Sequence, residues 1–385
     1  MALPETQTDV LVVGGGITGC ALAYYLARFG VEVLAIERGE LNSQASGSNA
    51  GSLHAQISYK DFTSADDAWL RGYGPVLRFL VAGIEAWKEI APELDTDTEF
   101  VIEGGLMVAE TDAEMRGIER KVAFERAQGL ENTIISQAEL RDRSPHLSRR
   151  MIGGAYSPYE GRINSAYATP AVLRAALRAG ARFERHVELY AIHRSAKRID
   201  AETNRGQIRA ERLVIAAGSW CDPIAAMVGV RFPVEGCPIH CNVTEAVPRC
   251  VDHLIYSAAR PLTLKQATTG QLIIGGGWPA AGSPAGGFPA CLRSTVEGNL
   301  STAMAVLPAM AHMRLLRSWA GFVNLIPDAR PLIGPVPGVP GIFIATFPNM
   351  GYTAGILCGK LAAELIAGKA PSFDPEIATP ERFAA

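Results

Sequence analysis

Val10-Leu11-Val12-Val13-Gly14-Gly15-Gly16-Ile17-Thr18-Gly19 decides how the rest of the chain is read. Four apolar, mostly β-branched residues predict a buried strand, the glycines a turn, and Cys20 to Arg28 a helix. Gly14, Gly16 and Gly19 then fit G-x-G-x-x-G between a strand and a helix, the setting that gives the pattern its meaning. The first glycine permits a tight turn, the second lets backbone approach a pyrophosphate, and the third lets the helix lie close on the sheet. The helix's free N–H groups and dipole face the anion. Val31 to Ile36 predicts a second buried strand ending at Glu37, 18 residues past Gly19 and placed to accept hydrogen bonds from a ribose diol. A glycine-rich structural turn would not need that acid, so this is read as a dinucleotide-binding unit.

The totals set bounds. A chain of 385 residues can bury a large core and suggests two domains or one elaborate one. A net charge of -3 gives no reason to expect nucleic acid or an anionic membrane surface. Seven scattered cysteines suit a reducing cytoplasm better than a disulfide framework, so a cytoplasmic location is expected. Cys237 and Cys241 flank His240 but lack a matching second pair, and no metal is expected. Val10 to Ala27 carries no charge, yet Asp9 abuts it, no Lys or Arg precedes it and three glycines break it. It is read as the nucleotide fold, with neither a targeting nor a transmembrane segment.

Gln44-Ala45-Ser46-Gly47-Ser48-Asn49-Ala50-Gly51-Ser52-Leu53-His54 follows, a small-residue run suited to wrapping a ligand. Asp66 to Leu94 predicts a helix with Trp69, Tyr73, Leu77, Leu80 and Ile84 on its core face. Phe100–Ile102 and Gly105–Ala109 read as a hairpin, Asp112 to Gly129 as a charged helix, and Thr169 to Ala179 as a helix with Pro170 in its first turn. The strand Leu213–Ile215 runs into Ala216-Ala217-Gly218-Ser219-Trp220, which would bring backbone back to the dinucleotide. Gly236 to Leu325 alternates strands and turns around one helix, Ser294 to Leu307, as an antiparallel sheet would. Gly341–Thr346 is a buried strand, and Phe347 to Thr353 turns into a last helix ending near Gly368. The expected fold is α/β: a Rossmann-type domain (1–95, 145–235, 326–385) interleaved with an α+β antiparallel-sheet substrate domain (96–144, 236–325).

Four blocks in order make the chain resemble the D-amino acid oxidase superfamily of FAD enzymes, which includes glycine oxidase and sarcosine oxidase. They are the glycine motif with Glu37, Ala45-Ser46-Gly47, Ala216 to Trp220, and Pro327-Asp328 to Gly334 with Gly351. Ser48 to Gln56, Leu264-Lys265-Gln266 with Ile274 to Pro279, and Pro348 to Thr353 look nearest to the β subunits of opine oxidases and D-hydroxyproline dehydrogenases. The resemblance implies non-covalent FAD, and hetero-oligomeric partner subunits carrying a second flavin, FMN, and an iron–sulfur cluster. This chain lacks the cysteine clusters such a centre needs.

The resemblance implies hydride transfer from a carbon bearing a neutral amine to flavin N5. It places FAD against Gly14, Gly16, Ile17, Thr18, Gly19, Glu37 and Arg38, then against Ser46, Ser48, Asn49, Ala50, Gly51 and Leu53. Val187, Ala217, Gly218, Trp220 and Arg330 would complete the cofactor site, together with Asn349, Met350, Gly351, Tyr352 and Thr353 at the start of the last helix. Gly351 would start a helix aimed at the reduced ring's negative charge. His54, Lys265 and Trp278 are expected to be catalytic, with Tyr256 and Arg260 joining them around the substrate. Relatives often carry an arginine after the Ala-Gly-Phe block to clamp the substrate carboxylate. Here Val323 and Asn324 stand there, leaving Arg260, Lys265 and Arg330 as candidates. The expected activity is oxidation of a secondary amine or D-imino acid of opine or D-hydroxyproline type. The alternatives are a stand-alone amino acid oxidase making hydrogen peroxide and a non-catalytic FAD-binding assembly subunit.

Overall fold

A computed structural model describes residues 6–195 and 198–384; residues 1–5, 196–197 and 385, inside the expected domain bounds, lie outside it. Its first sheet is built on Thr6–Val13, flanked in parallel by Val33–Glu37 and Gly206–Ile215. Arg182–Arg185 and Ile342–Thr346 extend it in parallel, while Leu189–Arg194, Ile199–Thr203 and Leu332–Pro335 pair antiparallel at its margins. A strand with both faces covered must be apolar throughout, and Val10, Leu11 and Val12 are fully buried. One face carries the helices Ile17–Arg28, Asp67–Ile90, Ser165–Arg178 and Gly351–Ile366. The helix predicted over Asp66 to Leu94 ends at Ile90, with Tyr73, Leu77, Leu80 and Ile84 buried as its spacing requires. Pro170 lies inside the helix Ser165–Arg178, which Asn164 caps through the Ala166 N–H. The asparagine cap, not the proline, sets where that helix starts.

The second sheet runs in the order Leu315–Leu325, Glu235–Ala246, Gln271–Gly275, Thr263–Gln266, Leu254–Ser257, Gly105–Ala109, Gly153–Ser157, Thr133–Ser136. It is antiparallel except where Gly105–Ala109 pairs in parallel with Leu254–Ser257. Gly153–Ser157, assigned above to the nucleotide domain, belongs to this sheet, so the boundary expected at 145 lies beyond it. The hairpin expected at 100–109 does not form. Val101–Ile102 pairs instead with Gly161–Arg162 in a three-stranded sheet whose third strand is Ser52–Leu53. Those two-residue strands lie between the large sheets in sequence and pin the chain beside His54. No helix among the described residues is long and apolar enough to cross a membrane.

Candidate active site

The glycine loop has the geometry its sequence predicts. Gly14 holds φ at +128°, and a Cβ there would strike the Ala216 carbonyl; one at Gly19 would strike the carbonyl of Gly14. Ile17 N–H donates to Ser46 Oγ at 2.9 Å, tying the first helical turn to the small-residue run. The remaining first-turn N–H groups, including those of Thr18 and Gly19, have no partner within the helix. Glu37 accepts from Gly15 N–H and Gly39 N–H, both at 2.8 Å, and its carbonyl accepts from Val187 N–H. Arg38 stacks its guanidinium 4.1 Å from the Trp220 ring centre, so two residues far apart in sequence form one wall. Ala217 and Gly218 begin the turn that carries Trp220.

The run after Ser46 folds on itself. Asn49 Oδ1 accepts from Gly51 N–H at 2.6 Å, and its amide donates to Ala45 O at 3.1 Å. Gly51 takes φ +70°, and a Cβ there would strike the Ile163 carbonyl and lie 3.3 Å from Lys265 Nζ. Ser48 O accepts from Trp319 Nε1 at 2.7 Å. Leu53, fully buried, pairs with Gly161, which brings His54 beside Glu160.

His54 donates its backbone N–H to Thr353 Oγ1 at 3.0 Å, and its Nδ1 lies 2.6 Å from Tyr256 Oη. Burial first, and the Lys265 charge second, push the imidazole down to about 3, so it is neutral at physiological pH. Burial and then the neighbouring Glu160 charge raise the Tyr256 phenol well above its ordinary value. Glu160, fully buried, accepts from Ala55 N–H, Gln56 N–H and the Gln56 amide at 2.9–3.1 Å. Burial outweighs those bonds and pushes its carboxyl up to about 7. Gln56 in turn accepts from Lys121 Nζ at 2.8 Å, and Lys121 pairs with Glu125 at 2.7 Å, both fully buried.

Beside this network lies a cleft of about 780 Å³, within the usual range of ligand sites. Ser48, Asn49 and Ala50 line it from one side, and Lys265, Arg317 and Trp319 of the second sheet from the other. Lys265 is only 4% exposed and its ammonium has no hydrogen-bond partner. Burial therefore lowers its pKa well below the ordinary value.

At the last helix, Asn349 takes φ +56° with its N–H on Asn324 O, and Met350 precedes the first helical residue, Gly351. A Cβ on Gly351 would meet nothing within 4 Å. Thr353 reaches His54. The Tyr352 side chain points the other way, bonding Thr169 Oγ1 at 3.0 Å and stacking on Trp87, so only its backbone remains on the cofactor side.

Three expected site residues lie elsewhere. Arg260 pairs with Glu110 at 3.1 Å, and Arg330 holds the carbonyls of Glu376 and Ile377. Trp278, half-buried, donates to Pro261 O at 2.7 Å and sits against Gly298. Of the carboxylate candidates, Lys265 alone reaches the cleft. Glu160 and Arg317 carry no motif that marks them; pairing of Gly161 with Leu53 and of Arg317 with Val243 brings them in.

The glycine loop, the partnerless helix N–H groups and the open Gly351 fit an FAD, whose phosphates the first helix would hold. The family described as FAD dependent oxidoreductase matches residues 9–365. The chain is 27% identical to the glycine oxidase of Geobacillus kaustophilus over 373 residues, covering 95% of this chain and 94% of that one. It is also 27% identical to the β subunit of sarcosine oxidase from Rhizobium meliloti over 379 residues, covering 96% and 86%. The crystal structure of the Geobacillus glycine oxidase superposes with a TM-score of 0.83 at 24% identity, over 97% and 98% of the two chains. The chain belongs to the DAO family of FAD-dependent oxidoreductases, enzymes that act on amines and amino acids.

Proposed function

We propose that this enzyme oxidises the C–N bond of a secondary amine or imino acid of opine or hydroxyproline type, as the catalytic subunit of a multi-subunit dehydrogenase. Bound FAD supplies the hydride acceptor. The observation that carries the reading is the pairing of a neutral His54 with Tyr256 beside the unpartnered Lys265. Hydride loss from the neutral amine leaves positive charge on the substrate nitrogen, and a neutral His54 does not oppose that charge as an imidazolium would. Lys265 would hold the carboxylate in place of the arginine replaced by Val323. Val323, Gly321 and Trp319 share the sheet face of Lys265, so a small apolar side chain there leaves room for a bulkier nitrogen substituent.

Support for a multi-subunit role comes from the similarity to a sarcosine oxidase β subunit over most of both chains. A stand-alone oxidase is the second reading, favoured by the similarity to a glycine oxidase over nearly its whole length. Anaerobic titration of the FAD-loaded chain with cis-4-hydroxy-D-proline, octopine and sarcosine tests the substrate. Bleaching by one of the first two is expected, and preferential bleaching by sarcosine would overturn it. Admitting air then separates the readings: slow reoxidation supports a dehydrogenase, fast peroxide formation an oxidase.

A further inference from the structure

Between the strand Gln271–Gly275 and the helix Arg293–Val306 runs a strap that is docked on one side only. Its base is closed where Ala281 and Ala290 exchange backbone hydrogen bonds at 2.8 and 2.9 Å. The first half is held down. Pro284 O accepts from Trp220 Nε1 at 3.2 Å, and the Pro284 ring fills the place that a Cβ on Gly236 would take. The second half is not. Gly287 takes φ +90°, and a Cβ on it would meet nothing within 4 Å. Phe288 follows, 72% exposed, the most exposed large apolar side chain among the described residues. Phe288 and Pro289 line the cleft described above.

A lone exposed aromatic residue needs no explanation. This one shares its cleft with an apolar floor. Val243 and Ile273 stand opposite each other on paired strands, and Trp319 lies two residues from Arg317, the other partner of Val243, so the three side chains share a sheet face. All three line the cleft and are only half-buried, which leaves apolar surface facing it. The Trp319 ring is fixed by its Nε1 bond to Ser48 O at 2.7 Å. Floor and strap thus each hold apolar surface in water, and an apolar group entering between them removes both from it.

We infer that Phe288 is a specificity-determining residue: with Val243, Ile273 and Trp319 it encloses an apolar compartment that takes an aromatic or branched aliphatic substituent of the substrate. This deepens the reading under Proposed function, on which it rests for the reaction, by giving the chemistry of the group for which Val323 leaves room. Phe288 packs on that group from the strap side while the sheet supports it from below. A substrate with a small substituent leaves Phe288 in water.

The test uses two ether carboxylates that cannot be oxidised at nitrogen, phenoxyacetate and methoxyacetate. The carboxylate is common to both, so the comparison does not depend on which residue holds it. The FAD-loaded chain is titrated with each, and binding is read from flavin absorbance and by calorimetry across temperature. Burial of a phenyl ring corresponds to about a tenfold or greater preference for phenoxyacetate, with a more negative heat-capacity change for that ligand. Phe288→Ala should cut the preference at least about threefold and shrink the heat-capacity difference, with FAD content unchanged. Phe288→Leu should keep most of both. Leu292→Ala removes an exposed apolar side chain further along the strap, outside the cleft lining, and should keep all of both. Equal binding of the two ligands by the wild-type chain, or a preference that survives in Phe288→Ala, overturns the inference. So does loss of FAD from Phe288→Ala, which would make the strap a cover for the cofactor. Failure of every amine to reduce the flavin counts against the reaction alone.

Discussion

His54 Nδ1 lies 2.6 Å from Tyr256 Oη, joining a loop beside the first sheet to a strand of the second. Behind Tyr256 stands Glu160, and behind Glu160 the fully buried Gln56, Lys121 and Glu125. The contact therefore ends a polar chain that runs from the His54 loop into the core.

Tyr256→Phe should remove the hydroxyl and leave the ring packing. Loss of a positioned proton carrier corresponds to roughly a 10²-fold or greater loss of rate. Stopped-flow flavin reduction should fall accordingly with FAD content unchanged. A rate within threefold of wild type would mean that the pair is only structural.

Glu160 should govern the pH response near neutrality. Its carboxyl is raised to about 7 in the folded chain, so folding favours the protonated form. The sign is then fixed: stability declines as pH rises from the ordinary carboxylate range through 7, and E160Q should flatten that decline. His54, neutral above about 3, should add no step to the rate profile between pH 5 and 9. Urea unfolding across pH, with flavin reduction in parallel, reads both.

Lys121 and Glu125 form a fully buried ion pair, and Glu125 also accepts from Ile57 N–H and Asn132. Lys121→Met leaves that carboxylate without its cation. The expected cost is about 3–5 kcal/mol, measurable in denaturant, with a further loss of order in the Ala55–Ile57 segment.

Two glycines should respond in opposite ways. Gly19→Ala forces a Cβ into the Gly14 carbonyl, so the purified protein should lose its flavin absorbance. Gly351→Val meets open space and should fold and retain FAD. It should slow flavin reduction more than it weakens substrate binding, because it crowds the helix start aimed at the reacting ring. The reverse pattern would remove Gly351 from the mechanism.

Local signals determined much of this protein. Strand, glycine turn, helix and Glu37 lie within 28 residues of one another, from Val10 to Glu37, and each is fixed by backbone sterics or by burial of both sheet faces. The family follows from such blocks in order. Tertiary structure decided the rest, because contacts between distant residues leave no local mark. Arg260 and Arg330 look alike in sequence to any substrate-binding arginine; only the fold shows Glu110 and the Glu376–Ile377 carbonyls claiming them. Glu160 reads as one charge in a loop until the pairing of Gly161 with Leu53 buries it beside His54. Arg317 reads as a surface cation until strand register sets it in one row with Lys265, since register is a property of paired strands and not of either alone.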